Sequence, residues 1–157
     1  MQTYLFPSKF KKLGWILLIP FLTIFILLLS SNGGYEWEIP VFAFVEIPVF
    51  SESNEWFAVI KNNIIDEIVY IGLMVSLLFI AFSREKDEDE YITKLRANSL
   101  VWALLVNSVL LVFEIIFVYG IAFFYVLIIN QFSILVLYIM KFNLTLCKIR
   151  RLAKNEK

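Results

Sequence analysis

Four long apolar runs, separated by polar or charged connections, dominate the pattern of the chain. The runs occupy residues 13–30, 63–82, 98–118 and 121–141. Each has about the 17–25 residues that an α-helix needs to cross a bilayer core roughly 30 Å thick. Their apolar residues are continuous and do not recur at amphipathic spacing, which is typical of membrane spans. The pattern therefore predicts four transmembrane helices.

The first apolar run follows a basic start that contains three lysines and no acid. A secretory signal peptide has the same layout. The run ends in Ser30-Ser31-Asn32-Gly33-Gly34, which lacks an A-x-A-like cleavage site. We expect a retained signal-anchor helix, with a cleaved signal peptide as the alternative.

The connection 31–62 contains the segment Glu-Ile-Pro-Val-Phe twice, at 38–42 and at 46–50. Pro40 and Pro48 disfavour a helix, while the β-branched and aromatic residues around them favour extended structure. The composition predicts a small extended or β-like loop on the membrane surface. An irregular hydrophobic loop is the alternative.

Charge distribution predicts which way the helices face. The N-terminus, the connection 83–97 and the tail 142–157, together with Lys141 directly before that tail, hold 13 of the 14 basic residues, and the remaining base is Lys61. Lysine and arginine are enriched on the cytoplasmic side of membrane proteins. We therefore expect both termini and the connection 83–97 in the cytoplasm.

The residue content of the chain excludes several chemistries. It has no histidine, and Cys147 is its single cysteine, so no Cys/His set is present to hold zinc or iron. It also lacks a Gly-rich phosphate loop and a nucleophile elbow. We expect no metal, no cofactor, no nucleic-acid partner and no enzymatic activity. An intramembrane enzyme that uses two carboxylates is a weak alternative.

Glu114 is the one ionisable residue well inside a predicted span, and such residues are costly in lipid and often functional. Asn107 lies on the same helix face, seven residues earlier. Asp66 and Glu67 follow the N-cap residue Asn63 in the first turn of the second helix, at a similar expected depth. Three neighbouring carboxylates would repel one another unless a proton, cation or donor intervenes. The four residues Glu114, Asp66, Glu67 and Asn107 are thus a candidate ion or proton site.

Two other interpretations of Glu114 remain open. Its carboxyl group can be protonated and hydrogen-bonded to a neighbouring helix, or it can reach the nearby membrane surface and do little. Near mid-bilayer, Asn107, Asn130 and Gln131 are predicted to make interhelical hydrogen bonds, because amide side chains join spans in this way.

The connection 83–97 carries a dense block of both charges. From Asp87 onward its acids precede its bases, so a helix that starts near Asp87 would have Glu90 and Lys94 paired at i, i+4. The run of acids lacks the spaced ligands and glycine of a calcium-binding loop, which favours a solvated helix start. The candidate surface for a cytoplasmic protein partner consists of Arg84, Asp87, Glu88, Asp89, Glu90, Lys94 and Arg96. Anionic lipids at the cytoplasmic face are further expected partners, because the connection and the tail are basic.

Several short motifs resemble a family of small four-span inner-membrane proteins of unknown function from Bacteroidetes-type bacteria. The motifs are Val41-Phe42-Ala43, Asn62-Asn63-x-x-Asp66-Glu67, the block Phe82–Glu90 with Leu95-Arg96, the Tyr119-Gly120 turn and Ile139–Asn143. The resemblance covers most of the chain from Val41 onward. It implies a four-span fold in a bacterial inner membrane, and it implies no activity or catalytic residue.

Together these observations predict an all-α membrane fold, a four-transmembrane-helix antiparallel bundle with a small extended or β-like extracytoplasmic loop. The expected function is that of a non-enzymatic interaction, regulatory or scaffold component that presents its charged cytoplasmic loop to a protein partner. The alternative is a small oligomeric transporter or channel that uses the intramembrane carboxylate.

Overall fold

The computed structural model of the protein describes residues 5–30, 37–46, 55–86 and 88–155. Within these residues, the chain forms four α-helices and two β-strands, in the order α1 (Lys9–Ser30), β1 (Glu38–Glu46), β2 (Glu55–Asn63), α2 (Ile64–Ala81), α3 (Glu90–Phe117) and α4 (Ile121–Asn155). All four helices are long and apolar enough to cross a membrane. The described part of the chain is mostly helical, and its four apolar helices indicate a multi-pass membrane protein.

Three of the helices extend beyond the apolar runs. α1 begins at Lys9, α3 begins at Glu90, and α4 continues to Asn155, so each helix includes neighbouring charged residues. At α3 the extension has a local cause, because the carboxylate of Asp89 accepts a hydrogen bond from the backbone N–H of Ile92 at 2.8 Å. Such an N-cap satisfies a donor that would otherwise lack a partner within the helix.

The chain divides into two compact units, Leu17–Leu73 and the combination of Met1–Ile16 with Met74–Lys157. The first unit contains the two strands, which form an antiparallel sheet with Ile39 opposite Asn62 and Val45 opposite Trp56. Pro40 is tolerated in β1 because a two-stranded sheet consists of edges only. The expected extended loop is therefore confirmed in the form of a two-stranded sheet. The repeat residues 47–50 lie outside the described residues.

In the same unit, Asn63 joins the sheet to α2. Its side-chain oxygen accepts from the backbone N–H of Ile65 at 3.3 Å and from that of Trp37 at 3.2 Å. The predicted N-cap is confirmed. The same side-chain oxygen also binds the backbone of Trp37, the residue that precedes β1. Further along α2, Gly72 packs directly on the ring of Phe21, leaving no space for a Cβ atom.

The second unit is built on the packing of α3 against α4. Residues 118–120 connect the two helices, and Gly120 has a φ of +69°, a conformation that glycine adopts without steric cost. Val118 closes α3 by donating its N–H to the carbonyl of Glu114 at 2.9 Å. The connection is a short turn that contains Tyr119 and Gly120, and it makes α3 and α4 neighbours.

The start of the chain is fixed to the segment that follows α2. Phe6 donates its N–H to the carbonyl of Phe82 and accepts from the N–H of Arg84, both at 2.9 Å. Its ring also contacts those of Phe10 and Phe79, with centroids 5.6 and 5.2 Å away. These contacts bring the lysines at the beginning of α1 to the charged connection between α2 and α3.

Most apolar side chains of α3 are exposed. Leu105 is 65% exposed and Val109 is 69% exposed, while Ala103 is fully buried. An exposed apolar surface of this length is unfavourable in water and is expected of a helix in contact with lipid.

Candidate functional site

A cluster of polar side chains joins α3 to α4 within their otherwise apolar surfaces. The amide of Asn107 donates to Oδ1 of Asn130 at 3.4 Å, and Nδ2 of Asn130 donates to Oε1 of Glu114 at 3.3 Å. Ser133 donates its hydroxyl to Oδ1 of Asn107. The result is a continuous chain of hydrogen bonds that runs from Ser133 to Glu114.

Two features of this polar cluster were not evident from the sequence. Ser133 lies three residues after Asn130 on α4, a spacing that puts both on one helix face, yet serine is common enough in spans to carry little signal. Oε2 of Glu114 is buried and has no hydrogen-bond partner among the described residues. A buried carboxylate oxygen without a partner is costly, so this atom is the least satisfied part of the polar cluster.

The other predicted polar residues lie elsewhere. Gln131 is exposed on α4, and among the described residues it has no hydrogen bond to a neighbouring helix. Asp66 is half-buried, and Glu67 accepts a hydrogen bond from Nδ2 of Asn62 at 2.5 Å. Asp66 and Glu67 belong to the unit Leu17–Leu73, whereas Glu114 and Asn107 belong to the other unit. A shared ion or proton site of these four residues stays a prediction.

Arg96 is the centre of a second polar cluster, which we call the Arg96 cluster. Its guanidinium donates to the carbonyl of Ala81 at 2.9 Å and to that of Ser83 at 3.0 Å. It forms an ion pair with Glu88, at 3.1 Å between Nη2 and Oε2. The hydroxyl of Tyr138 lies 3.4 Å from Nη1. One buried side chain of α3 thereby holds the end of α2, the following connection and α4.

The arginine also stacks on an aromatic ring, with its guanidinium carbon 4.7 Å from the centroid of Phe142. Cation–π contacts of this kind strengthen when they are shielded from water, and the Arg96 side chain is only 8% exposed. The guanidinium group is planar and carries several N–H donors in a fixed arrangement, so arginine suits such a site better than lysine.

Glu85 forms a third polar cluster with residues that are distant in sequence. Its side chain is 8% exposed, pairs with Lys11 through Oε1, and accepts from Arg150 at 3.2 Å through Oε2. Lys11 also donates to Oδ1 of Asn143 at 3.2 Å. These contacts tie the first turn of α1 and the last part of α4 to the connection after α2.

The two basic partners determine the charge state of Glu85. Burial raises the pKa of its carboxyl group, but the hydrogen bond and the charge of Lys11, together with Arg150, lower it more. The net pKa lies below the ordinary value of 4.5. The carboxylate is therefore charged throughout the neutral range and can hold both bases.

The predicted partner surface divides into supporting and exposed residues. Arg96 is buried, and Glu88 is bound both by Arg96 and by the backbone N–H of Glu85, at 2.8 Å. Glu90 and Lys94 are exposed and form the predicted i, i+4 ion pair at 2.8 Å. Arg84 and Asp89 are also exposed, and Asp87 lies outside the described residues.

Within residues 5–30, 37–46, 55–86 and 88–155, no three cysteine or acidic side chains are grouped as a metal site would require. Scans against protein-family models, curated proteins and solved structures find no match for this chain, so its own contacts are the basis for inferring a function.

Proposed function

We propose that this protein is a non-enzymatic component of a bacterial inner membrane that presents a charged cytoplasmic surface to a protein partner. Both termini and the connection 83–97 lie in the cytoplasm in this proposal, because they hold 13 of the 14 basic residues. The four helices form an antiparallel bundle, and the two-stranded sheet is extracytoplasmic. The resemblance to small four-span inner-membrane proteins agrees with this assignment.

The observation that carries the proposal is the attachment of the charged connection to the Arg96 cluster. A connection held by buried hydrogen bonds and an ion pair loses little conformational entropy when it binds a partner. A purely solubilising loop would need no such support. Residues 84–86 and 88–94 are therefore suited to recognition.

The residues offered for recognition are those that remain exposed. Glu90 and Lys94 are 84% and 72% exposed at the side chain, and Tyr91 between them is 56% exposed. An exposed aromatic ring beside two opposite charges can supply both contact area and charge complementarity to a partner.

A photo-crosslinking experiment tests the proposal. A photoreactive phenylalanine derivative replaces Tyr91, and the same replacement of Tyr119, 76% exposed in the α3–α4 connection, is the control. In intact cells we expect one defined adduct from position 91 and none of the same mass from position 119. A Glu90→Lys/Lys94→Glu exchange, which preserves net charge, should remove that adduct because it reverses the local charge pattern. An adduct that persists undiminished in this exchange variant would show that the partner does not recognise the charges of Glu90 and Lys94.

A second candidate function is a small oligomeric transporter or channel. The observation that favours it is the unpartnered buried Oε2 of Glu114, because an incompletely satisfied carboxylate within a span can take up a proton or a cation. Glu114→Gln keeps an acceptor for Asn130 but removes the ionisable group. If ion or proton flux into liposomes is equal for the wild type and Glu114→Gln, this candidate fails.

A further inference from the structure

A basic groove lies where the start of α1, the connection after α2 and the last part of α4 meet. Its volume is about 610 Å³, within the range of roughly 300–1,000 Å³ that is usual for small-molecule sites. The groove is lined by Ser8, Lys9, Lys11, Lys12, Trp15, Arg84, Glu85, Lys86 and Arg150. Six bases and one acid give this lining a formal net charge of +5.

The one acid does not neutralise most of that charge. Glu85 is already shared between Lys11 and Arg150, which hold it from two sides. The four other bases, namely Lys9, Lys12, Arg84 and Lys86, form no ion pair with a described residue. A concave wall of like charges focuses a positive potential, and α1 adds the positive end of its dipole because it begins here. The groove is therefore suited to an anion.

The position of the groove indicates which anion. α1 and α4 are both long and apolar enough to cross a membrane, and the groove lies at the ends of both. Trp15, which lines the groove, is 46% exposed, and tryptophan is enriched at the membrane–water interface. A ligand bound here thus has its charged part beside lysines and its remainder beside the apolar surface of α1.

We infer that this groove binds the phosphate of one anionic phospholipid headgroup. Lysine ammonium groups and the hydroxyl of Ser8 donate to the phosphate oxygens, and the acyl chains extend along α1 past Trp15. This site goes beyond the proposed function and does not depend on it, because lipid binding requires no protein partner. It also differs from the general attraction of basic segments to anionic membranes, since it predicts one lipid at one place.

Native mass spectrometry of the full chain in a neutral detergent tests the inference. The probes are phosphatidylglycerol, phosphatidylcholine and inorganic phosphate. The groove variant is Lys12→Gln/Lys86→Gln, and the matched control is Lys148→Gln/Arg151→Gln, which removes two exposed charges of α4 outside the lining. Both variants change net charge equally and leave Lys11, Glu85 and Arg150 intact.

We expect one phosphatidylglycerol to bind in preference to phosphatidylcholine. The groove variant should bind it about 30-fold more weakly, since a lysine near anionic lipid contributes about 1 kcal/mol and two are removed, and the control should change by less than about twofold. Equal weakening of phosphatidylglycerol binding in both variants would mean that the lipid is held only by general attraction to basic segments, and it would overturn the inference. Displacement of the lipid by equimolar inorganic phosphate would overturn it too, because the site would then be one for free phosphate.

Fluorescence gives a second measurement that needs no lysine variant. Phosphatidylglycerol with brominated acyl chains quenches nearby tryptophans, and the chain has four of them. At one lipid per protein, Trp15→Phe should lose most of the quenching that the wild type shows. Unchanged quenching in Trp15→Phe would place the bound lipid elsewhere and contradict the inference.

Discussion

Nη2 of Arg96 lies 3.1 Å from Oε2 of Glu88, and this ion pair connects α3 to the segment that precedes it. Both side chains are largely buried, at 8% and 19% exposure. Arginine makes further hydrogen bonds to two backbone carbonyls, so the pair is embedded in a network and is not an isolated surface contact. A large part of the stability of the connection should therefore depend on the Arg96 side chain.

Arg96→Gln tests that dependence. Removing the guanidinium takes the charged donor away from the Glu88 carboxylate, which keeps only the N–H of Glu85, and it removes one donor each from the carbonyls of Ala81 and Ser83. Breaking a buried ion pair by deleting one partner costs about 3–5 kcal/mol. We expect a marked decrease in the thermal unfolding temperature in detergent, measured by circular dichroism.

The matched control for Arg96→Gln is Lys94→Gln, which deletes one base from the exposed pair with Glu90. Exposed pairs contribute about 0.5 kcal/mol or less, so its unfolding temperature should stay near that of the wild type. If Arg96→Gln were as stable as Lys94→Gln, the Arg96 cluster would not be the support of the connection.

Local pattern accounts for the part of this structure that the sequence predicted. The spans follow from continuous apolar runs, and the Asn63 cap and the Glu90–Lys94 pair follow from spacing along a single helix. Each depends on residues within a few positions of one another, so no knowledge of packing is required. The extended loop was predictable for the same reason, because Pro40 and the β-branched residues around it disfavour a helix.

The clusters around Arg96 and Glu85 could not be predicted in this way. Glu85 meets Lys11 and Arg150, which are 74 and 65 positions away in sequence. In a block rich in acidic and basic residues, the sequence alone suggests that every side chain is exposed to water. Only the packing of the folded chain determines which of them become buried. Tyr138 was unremarkable for a similar reason, because its position in a long apolar run gives no sign that its hydroxyl meets a guanidinium.

The depressed pKa of Glu85 predicts an acid-sensitive contribution to stability. A carboxyl group whose folded-state pKa lies below its unfolded value of 4.5 stabilises the fold fully above that value. The contribution is lost as the pH falls through the folded-state pKa. The wild type should therefore be more stable than Glu85→Gln at about pH 7, and this difference should shrink progressively below about pH 4.5.

Unfolding temperatures of both proteins across this pH range provide the measurement. Glu90→Gln is the matched control, because it makes the same chemical change at an exposed carboxylate, and its acid profile should follow that of the wild type. A gap between the wild type and Glu85→Gln that stayed constant from neutral to acid pH would argue against the charge of Glu85 as its cause.

Close packing at Gly14 predicts a strong size limit. A Cβ atom at this position would lie 2.8 Å from Cγ1 of Ile80 and 2.9 Å from the carbonyl oxygen of Ser76. The carbonyl belongs to the helix backbone and cannot move aside easily, so we expect Gly14→Ala to cost about 1–3 kcal/mol through overpacking. Gly120→Asn is the comparison, since that site has nothing within 4 Å and a positive φ that asparagine tolerates. Chemical denaturation in detergent that found the two variants equally stable would contradict the close approach at Gly14.

Asn130 and Gln131 are adjacent amides with opposite expected consequences. Asn130 holds both Asn107 and Glu114, whereas the Gln131 side chain is exposed. Interhelical hydrogen bonds in membranes contribute about 0.6 kcal/mol each on average and up to about 1.7, so Asn130→Leu should destabilise the protein by about 1–2 kcal/mol. Gln131→Leu should be neutral or slightly stabilising. The exposed amide of Gln131 is an unsatisfied polar group in lipid, and leucine removes it.

Unfolding in mixed micelles measures both variants under one condition. Equal destabilisation by the two would mean that apolar packing, and not the hydrogen bonds of Asn130, joins α3 to α4.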